Sequence, residues 1–176
     1  MGLRRKSREA ALQLLYQSEF DESGPHSSLA PFWAARKPDE SVREYADQLV
    51  HGILEHREVL DGLIQSVSKN WRIARMSIID RNILRMAAYE LRFAPGMAPA
   101  VVINEAIEIA KRYSGQEAAV FVNGVLDGIR KTITGTSPGV KEDHAPKKGQ
   151  GTATRKRKTA GDGRPPARGT RRRKGE

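Results

Sequence analysis

The chain is 176 residues long, with 31 Lys/Arg against 21 Asp/Glu and no cysteine, so one domain with a moderate core is the default. Disulfide scaffolds and thiolate metal sites are excluded. The charge is unevenly placed: Lys141 to Glu176 holds 13 basic and 4 acidic residues, a net of +9, while the preceding 140 residues hold 18 and 17, a net of +1.

The basic character therefore belongs to the C-terminal tail, and the body is close to neutral. No apolar run reaches the ~18 residues of a membrane span, so no membrane partner is expected. The basic start lacks the continuous apolar core of a secretory signal, and Glu9 and Glu19 argue against a transit peptide. A cytoplasmic location is expected.

The first helix is predicted over about Arg4 to Phe20, with Ala11, Leu12, Leu14 and Leu15 buried and Tyr16 at the boundary. Arg4, Arg5, Lys6 and Arg8 crowd its first turns, where the partial positive charge of a helix N-terminus disfavours cations. That placement points either to an external anion or to a frayed, solubilising terminus. Tyr16 shares a helix line with Arg5, where a base could stack beside the arginines; a half-buried core tyrosine is the plainer alternative.

Asp21 to Glu40 holds three prolines, a glycine and several serines and is read as a loop, with Phe32 and Trp33 pinning it to the body. From Ser41 a second amphipathic helix carries Val42, Tyr45, Ala46, Leu49, Val50, Ile53 and Leu54 on one side. Its phase fails at His56–Arg57, where continuation would bury an arginine. A new helix then aligns Leu60, Leu63, Ile64 and Val67, and Asn70–Trp71 open a connector.

The stretch Met76–Phe93 has the best helical pattern in the chain. Ile79, Ile83, Leu84, Met86, Ala87 and Leu91 share a wide apolar arc, with Arg81, Arg85 and Arg92 as a narrow stripe opposite. Ser77 and Asp80 have the spacing of a capping box. An arc this wide needs neighbours on several sides, so this is the central helix of an all-helical domain. The arginine stripe is expected to be solvated, and Glu90, inside the arc, must be paired or lie near a rim.

Residues 94–99, APGMAP, break the helix, and Pro99 suits the first turn of the next. There Val102, Ile103, Ala106, Ile107, Ala110 and Tyr113 form the apolar side, with Glu108 and Arg112 spaced for an i,i+4 pair. The last helix, Gln116 to about Ile133, buries Ala118, Val122, Val125, Leu126, Ile129 and Ile133. Its Gly124 and Gly128 imply close approach of another helix or a ligand. Residues 136–176 cannot bury a core and are read as a disordered polybasic tail attached to a 1–135 domain.

Catalytic patterns are missing. His51 and His56 stand about 140° apart round a helix and would not share a metal, no glycine-rich phosphate loop follows a strand, and no nucleophile elbow is present. The chain is not read as an enzyme, and no cofactor or metal is expected.

Four segments, RRKSREAALQLLYQ, IDRNILRMAAYEL, INEAIEIAKRY and FVNGVLDGI, resemble in order and spacing the bacterial transcription antitermination factor NusB family over roughly residues 1–134. The resemblance implies about seven helices in two small helical subdomains packed across each other. It implies pairing with NusE, a small-subunit ribosomal protein, binding of single-stranded boxA RNA in nascent transcripts, and action within the RNA polymerase antitermination complex on ribosomal RNA operons. It carries an RNA-binding role onto Arg4, Arg5, Lys6, Arg8, Tyr16, Asn123 and Asp127, and a protein-partner role onto Asp80, Arg81 and Glu90. It leaves a homodimer open. A ribosomal RNA methyltransferase is a rival lacking its cofactor domain here; a general RNA chaperone or ribosome-assembly factor and a protein scaffold are the others.

Overall fold

A computed structural model describes residues 2–21, 26–94 and 96–135; the predicted tail from 136 lies outside the described residues. Seven α-helices and one 3-10 turn make up the described part: α1 Leu3–Ser18, α2 Leu29–Ala34, α3 Glu40–Glu55, α4 Arg57–Val67, the 3-10 turn Ile73–Arg75, α5 Ile78–Phe93, α6 Pro99–Tyr113 and α7 Gln116–Ile133. The α3–α4 break falls at His56, whose backbone leaves the helical region. Ser77 accepts the backbone N–H of Asp80 at 3.0 Å and so starts α5 as the capping pattern requires. Gly115, at φ 104°, makes the turn from α6 into α7 that a side chain would strain.

Helix α5 is the common wall of two bundles. It packs against α1 and α3 on one side and against α4, α6 and α7 on the other, which is why its apolar arc is so wide. Ile83, Leu84, Met86, Ala87 and Ala88 are all buried along it. Burying a Leu, Ile or Met side chain contributes about 1.5–3 kcal/mol, so this one helix organises much of the core.

The loop expected over 21–40 contains α2. Pro31 lies in its first turn, where a missing N–H costs nothing, and Phe32 and Trp33 face inward. Trp33 is pinned as expected, its indole Nε1 donating to Asp47 Oδ1 at 2.7 Å.

Other expectations are corrected. Arg85 is not solvated: it is 4% exposed, and Arg81 is turned onto Glu19; of the stripe, Arg92 faces solvent. Glu108 pairs with Lys111 and Arg112 with Glu9, so the 108–112 pair is not formed. Ile109 rather than Ile107 and Ala119 rather than Ala118 are fully buried, a shift of the apolar arc by one or two positions.

The two glycines of α7 differ. A Cβ on Gly128 would meet Val67 of α4 at 3.2 Å, whereas one on Gly124 would meet nothing within 4 Å. Gly124→Ala is therefore expected to stabilise the domain by about 0.5–1 kcal/mol through helix propensity. Gly128→Ala should gain less or lose stability, because Val67 must give way; urea denaturation of the two variants separates them.

Candidate nucleic-acid interface

The cations at the start of α1 meet internal partners. Arg8 is 2% exposed; its Nε donates to Glu90 Oε2 at 2.9 Å and its Nη2 to Glu90 Oε1 at 2.8 Å. The Tyr45 hydroxyl donates to the same Glu90 carboxylate, and burial, reinforced by that bond, pushes the Tyr45 phenol well above its ordinary range. Arg5 forms a bidentate pair with Glu105, Nε to Oε2 at 2.8 Å and Nη2 to Oε1 at 2.7 Å. The Arg5 hydrogen bond holds the Glu105 carboxyl below its usual range, against the opposing effect of burial. The Arg4 guanidinium lies over the Tyr45 ring, 3.9 Å from its centroid.

These contacts explain how α1 tolerates cations where its dipole disfavours them: carboxylates from α5 and α6 replace an external anion for Arg5 and Arg8, while Arg4 has an aromatic face from α3 but no carboxylate. Arg4 remains exposed, and Lys6 is exposed without an acidic partner among the described residues. Arg8 and Glu90, expected on an RNA surface and a protein surface respectively, form one buried pair instead. A charge buried in a low-dielectric core needs such a partner, and Arg8 anchors the turn that carries Arg4 and Lys6.

Tyr16 is 42% exposed. Its ring packs 5.3 Å from that of Phe20, and it lines a mostly apolar groove of about 260 Å3 with Leu12, Ile79 and Tyr113. Asn123 is exposed on α7. Asp127 is occupied by its own helix, pairing with Lys131 at 2.6 Å and Arg130 at 2.7 Å; the bond from Lys131, then that from Arg130, holds its carboxyl below its usual range. Helix α7 packs on α4, α5 and α6, while α1 packs on α3 and α5. No hydrogen bond or ion pair among the described residues joins Asn123 or Asp127 to the α1 cations.

The three predicted partner residues have different surroundings. Asp80 borders an open groove of about 410 Å3 with Trp71, Arg75 and Phe121; Trp71 is 60% exposed and meets Phe121 edge-on at 6.0 Å. Arg81 is tied to Glu19 at 3.1 Å, and Glu90 is in the core.

Sequence reasoning missed Arg36 and Lys37. Both are exposed beside α2 and line a groove with Lys6, Phe32 and Asp39. The Arg36 guanidinium lies 3.7 Å above the Phe32 ring. The signal was the i,i+4 spacing of Phe32 and Arg36, which has meaning only once α2 is recognised as a helix.

The fold places the chain among all-α proteins built of two helical bundles that share one central helix. The NusB family model matches residues 5–131, and the chain belongs to the NusB family of transcription antitermination factors. It is 49% identical over 129 residues to the transcription antitermination protein NusB of Trichlorobacter lovleyi, covering 73% of this chain and 91% of that one. It is 44% identical over 133 residues to that of Sorangium cellulosum, covering 76% and 95%. Among solved structures, NusB of T. maritima superposes with a TM-score of 0.66 at 38% identity, covering 73% of this chain and 90% of that one. A chain in the crystal structure of antitermination factors NusB and NusE in complex with dsRNA gives 0.67 at 29% identity, covering 75% and 98%.

Proposed function

We propose that the protein pairs with NusE to bind boxA RNA in nascent transcripts and so supports processive transcription of ribosomal RNA operons within the polymerase antitermination complex. The likeness along nearly the whole length of a chain from a NusB, NusE and dsRNA complex carries this reading. Two features of the molecule support it. Arg4 and Lys6 stand open at the start of α1, where they can attract phosphates without sequence preference. The exposed aromatic side chains of Tyr16 and Phe20 offer faces on which unstacked bases can lie. Arg5 and Arg8 act from behind, holding the first turns in place through Glu105 and Glu90. Asn123, exposed on α7, adds a group that can reach base edges, and the groove beside Asp80 is the face offered to NusE. A body whose charges nearly cancel binds RNA weakly alone, which is why a partner completes the surface.

The test is binding of boxA RNA and of a scrambled RNA, with and without NusE, at two salt concentrations. NusE should tighten binding to boxA and not to the scramble. Replacing Arg4 and Lys6 together by alanine should lower the slope of log K against log salt by about 1.4, at roughly 0.7 per phosphate for a single strand. Binding that ignores both NusE and sequence would refute the reading and favour a general RNA chaperone.

A further inference from the structure

The outer edge of α1 joins Lys6 and Phe20 through side chains that the antitermination reading does not use: Gln13, Gln17, Arg36 and Lys37. Lys6, Gln13 and Gln17 lie at i, i+7 and i+11, within about 20° of one line along the helix. Lys6 and Gln13 line the groove that Arg36 and Lys37 roof. Gln17 lines the next groove, which it shares with Phe20 and again with Arg36. Arg36 and the Phe32 beneath it are common to both.

The Arg36 guanidinium is seated over an aromatic ring. Cζ lies 3.7 Å from the centroid of the Phe32 ring, Nη1 donates to the Phe32 carbonyl at 3.2 Å, and Nη2 reaches Gln13 Oε1 at 3.4 Å. Phe32 is itself buried, so the guanidinium has a rigid support, while Arg36 remains exposed.

The charges of the first groove favour a polyanion. Glu9 lines it, but Arg112 holds that carboxylate at 2.8 Å. Asp39 is the remaining acid, set against Lys6, Arg36 and Lys37. In the second groove the acid is Asp21, which accepts hydrogen bonds from Ser27 and Ser28. Beyond it Phe20 is 63% exposed. Lysines that attract phosphates, amides that can reach base edges, a guanidinium plate and an exposed aromatic ring are the parts from which single-stranded RNA sites are built. A duplex, whose bases are stacked on one another, has no free base face to lay on the plate.

We propose that this edge is a single-stranded RNA track in which one unstacked base lies on the open face of Arg36, with flanking phosphates held by Lys6 and Lys37. It extends the RNA-binding reading above and rests on it. The track runs from the open cations at the start of α1 toward Phe20, so it would engage nucleotides beside those held at the α1 terminus.

The experiment compares full-length wild-type protein with Arg36→Lys and Lys37→Gln, measuring affinity for a single-stranded oligouridine and for an RNA duplex of equal length, without NusE. Arg36→Lys keeps the charge and loses the plate. It should reduce the ratio of single-strand to duplex affinity by fivefold or more, in keeping with the worth of one stacked base, with an unchanged salt slope. Lys37→Gln should instead lower the single-strand salt slope by about 0.7. With 4-thiouridine in the oligomer, the wild type should photo-crosslink to the peptide carrying Arg36. An Arg36→Lys protein with the wild-type ratio, a wild type with no preference for single strands, or crosslinks confined to other segments would each overturn the track. Failure of the boxA reading is distinguishable, because it would show as sequence-blind, NusE-independent binding while the Arg36→Lys loss persisted.

Discussion

Glu90→Ala is expected to cost about 3–5 kcal/mol of folding stability, the usual penalty for stranding one member of a buried ion pair. It would leave the 2%-exposed Arg8 guanidinium without the carboxylate that accepts three of its hydrogen bonds, and the Tyr45 hydroxyl without its acceptor. Domains of this size are stable by only about 5–15 kcal/mol, so the loss is a large fraction of the whole. Urea denaturation measures it. Replacing both Arg8 and Glu90 by methionine should recover much of the loss, since burial of two apolar chains avoids the desolvation of two charges. A Glu90→Ala cost below 1 kcal/mol would show that water reaches the pair. The change also has a functional readout. Arg8 ties the first turns of α1 to α5, so a destabilised Glu90→Ala protein should lose RNA binding through displacement of Arg4 and Lys6 while Glu90 itself touches no RNA.

The body's helices were largely legible because their signals are local. The Ser77 cap, the phase failure at His56 and the apolar spacing of the last helix each lie within a few residues of the feature they mark, and α7 spans the residues its pattern indicates. What the pattern could not supply was the partner of a charge. Periodicity sorts the residues of one helix into faces and is silent about what each face meets. Arg85 was set opposite the apolar arc correctly, yet that side is covered by acids from α1 and α4. Glu90 was placed within the arc correctly, but its partner lies 82 positions away. The α1 cations raised the right question, of what neutralises them, and the answer for Arg5 and Arg8 is internal. Helix α2 was hidden by the prolines around it, and with it the Phe32–Arg36 contact, which depends on helical spacing and could not be read.

The second large loss is expected from Arg85→Ala, at about 2–3 kcal/mol. Arg85 grips Asp61 of α4 in a bidentate pair, Nε to Oδ1 at 2.7 Å and Nη2 to Oδ2 at 2.8 Å, and Nη1 donates to Glu19 Oε1 at 2.9 Å and Asn82 Oδ1 at 3.0 Å. It therefore joins the residue capping α1 to both α4 and α5. Breaking a buried pair would cost about 3–5 kcal/mol. Two features reduce it: the Asp61 side chain is partly open to water, and Glu19 retains Arg81 at 3.1 Å and Arg57 at 3.3 Å. Arg85→Lys should keep the charge but lose the fork that matches a carboxylate, falling between wild type and alanine. Because the hub joins the bundles, hydrogen exchange should rise first at the C-terminal end of α1 and at α4 in Arg85→Ala, ahead of α6 and α7. A uniform rise across all helices would show instead that the two bundles unfold as one unit and that Arg85 contributes to global stability alone.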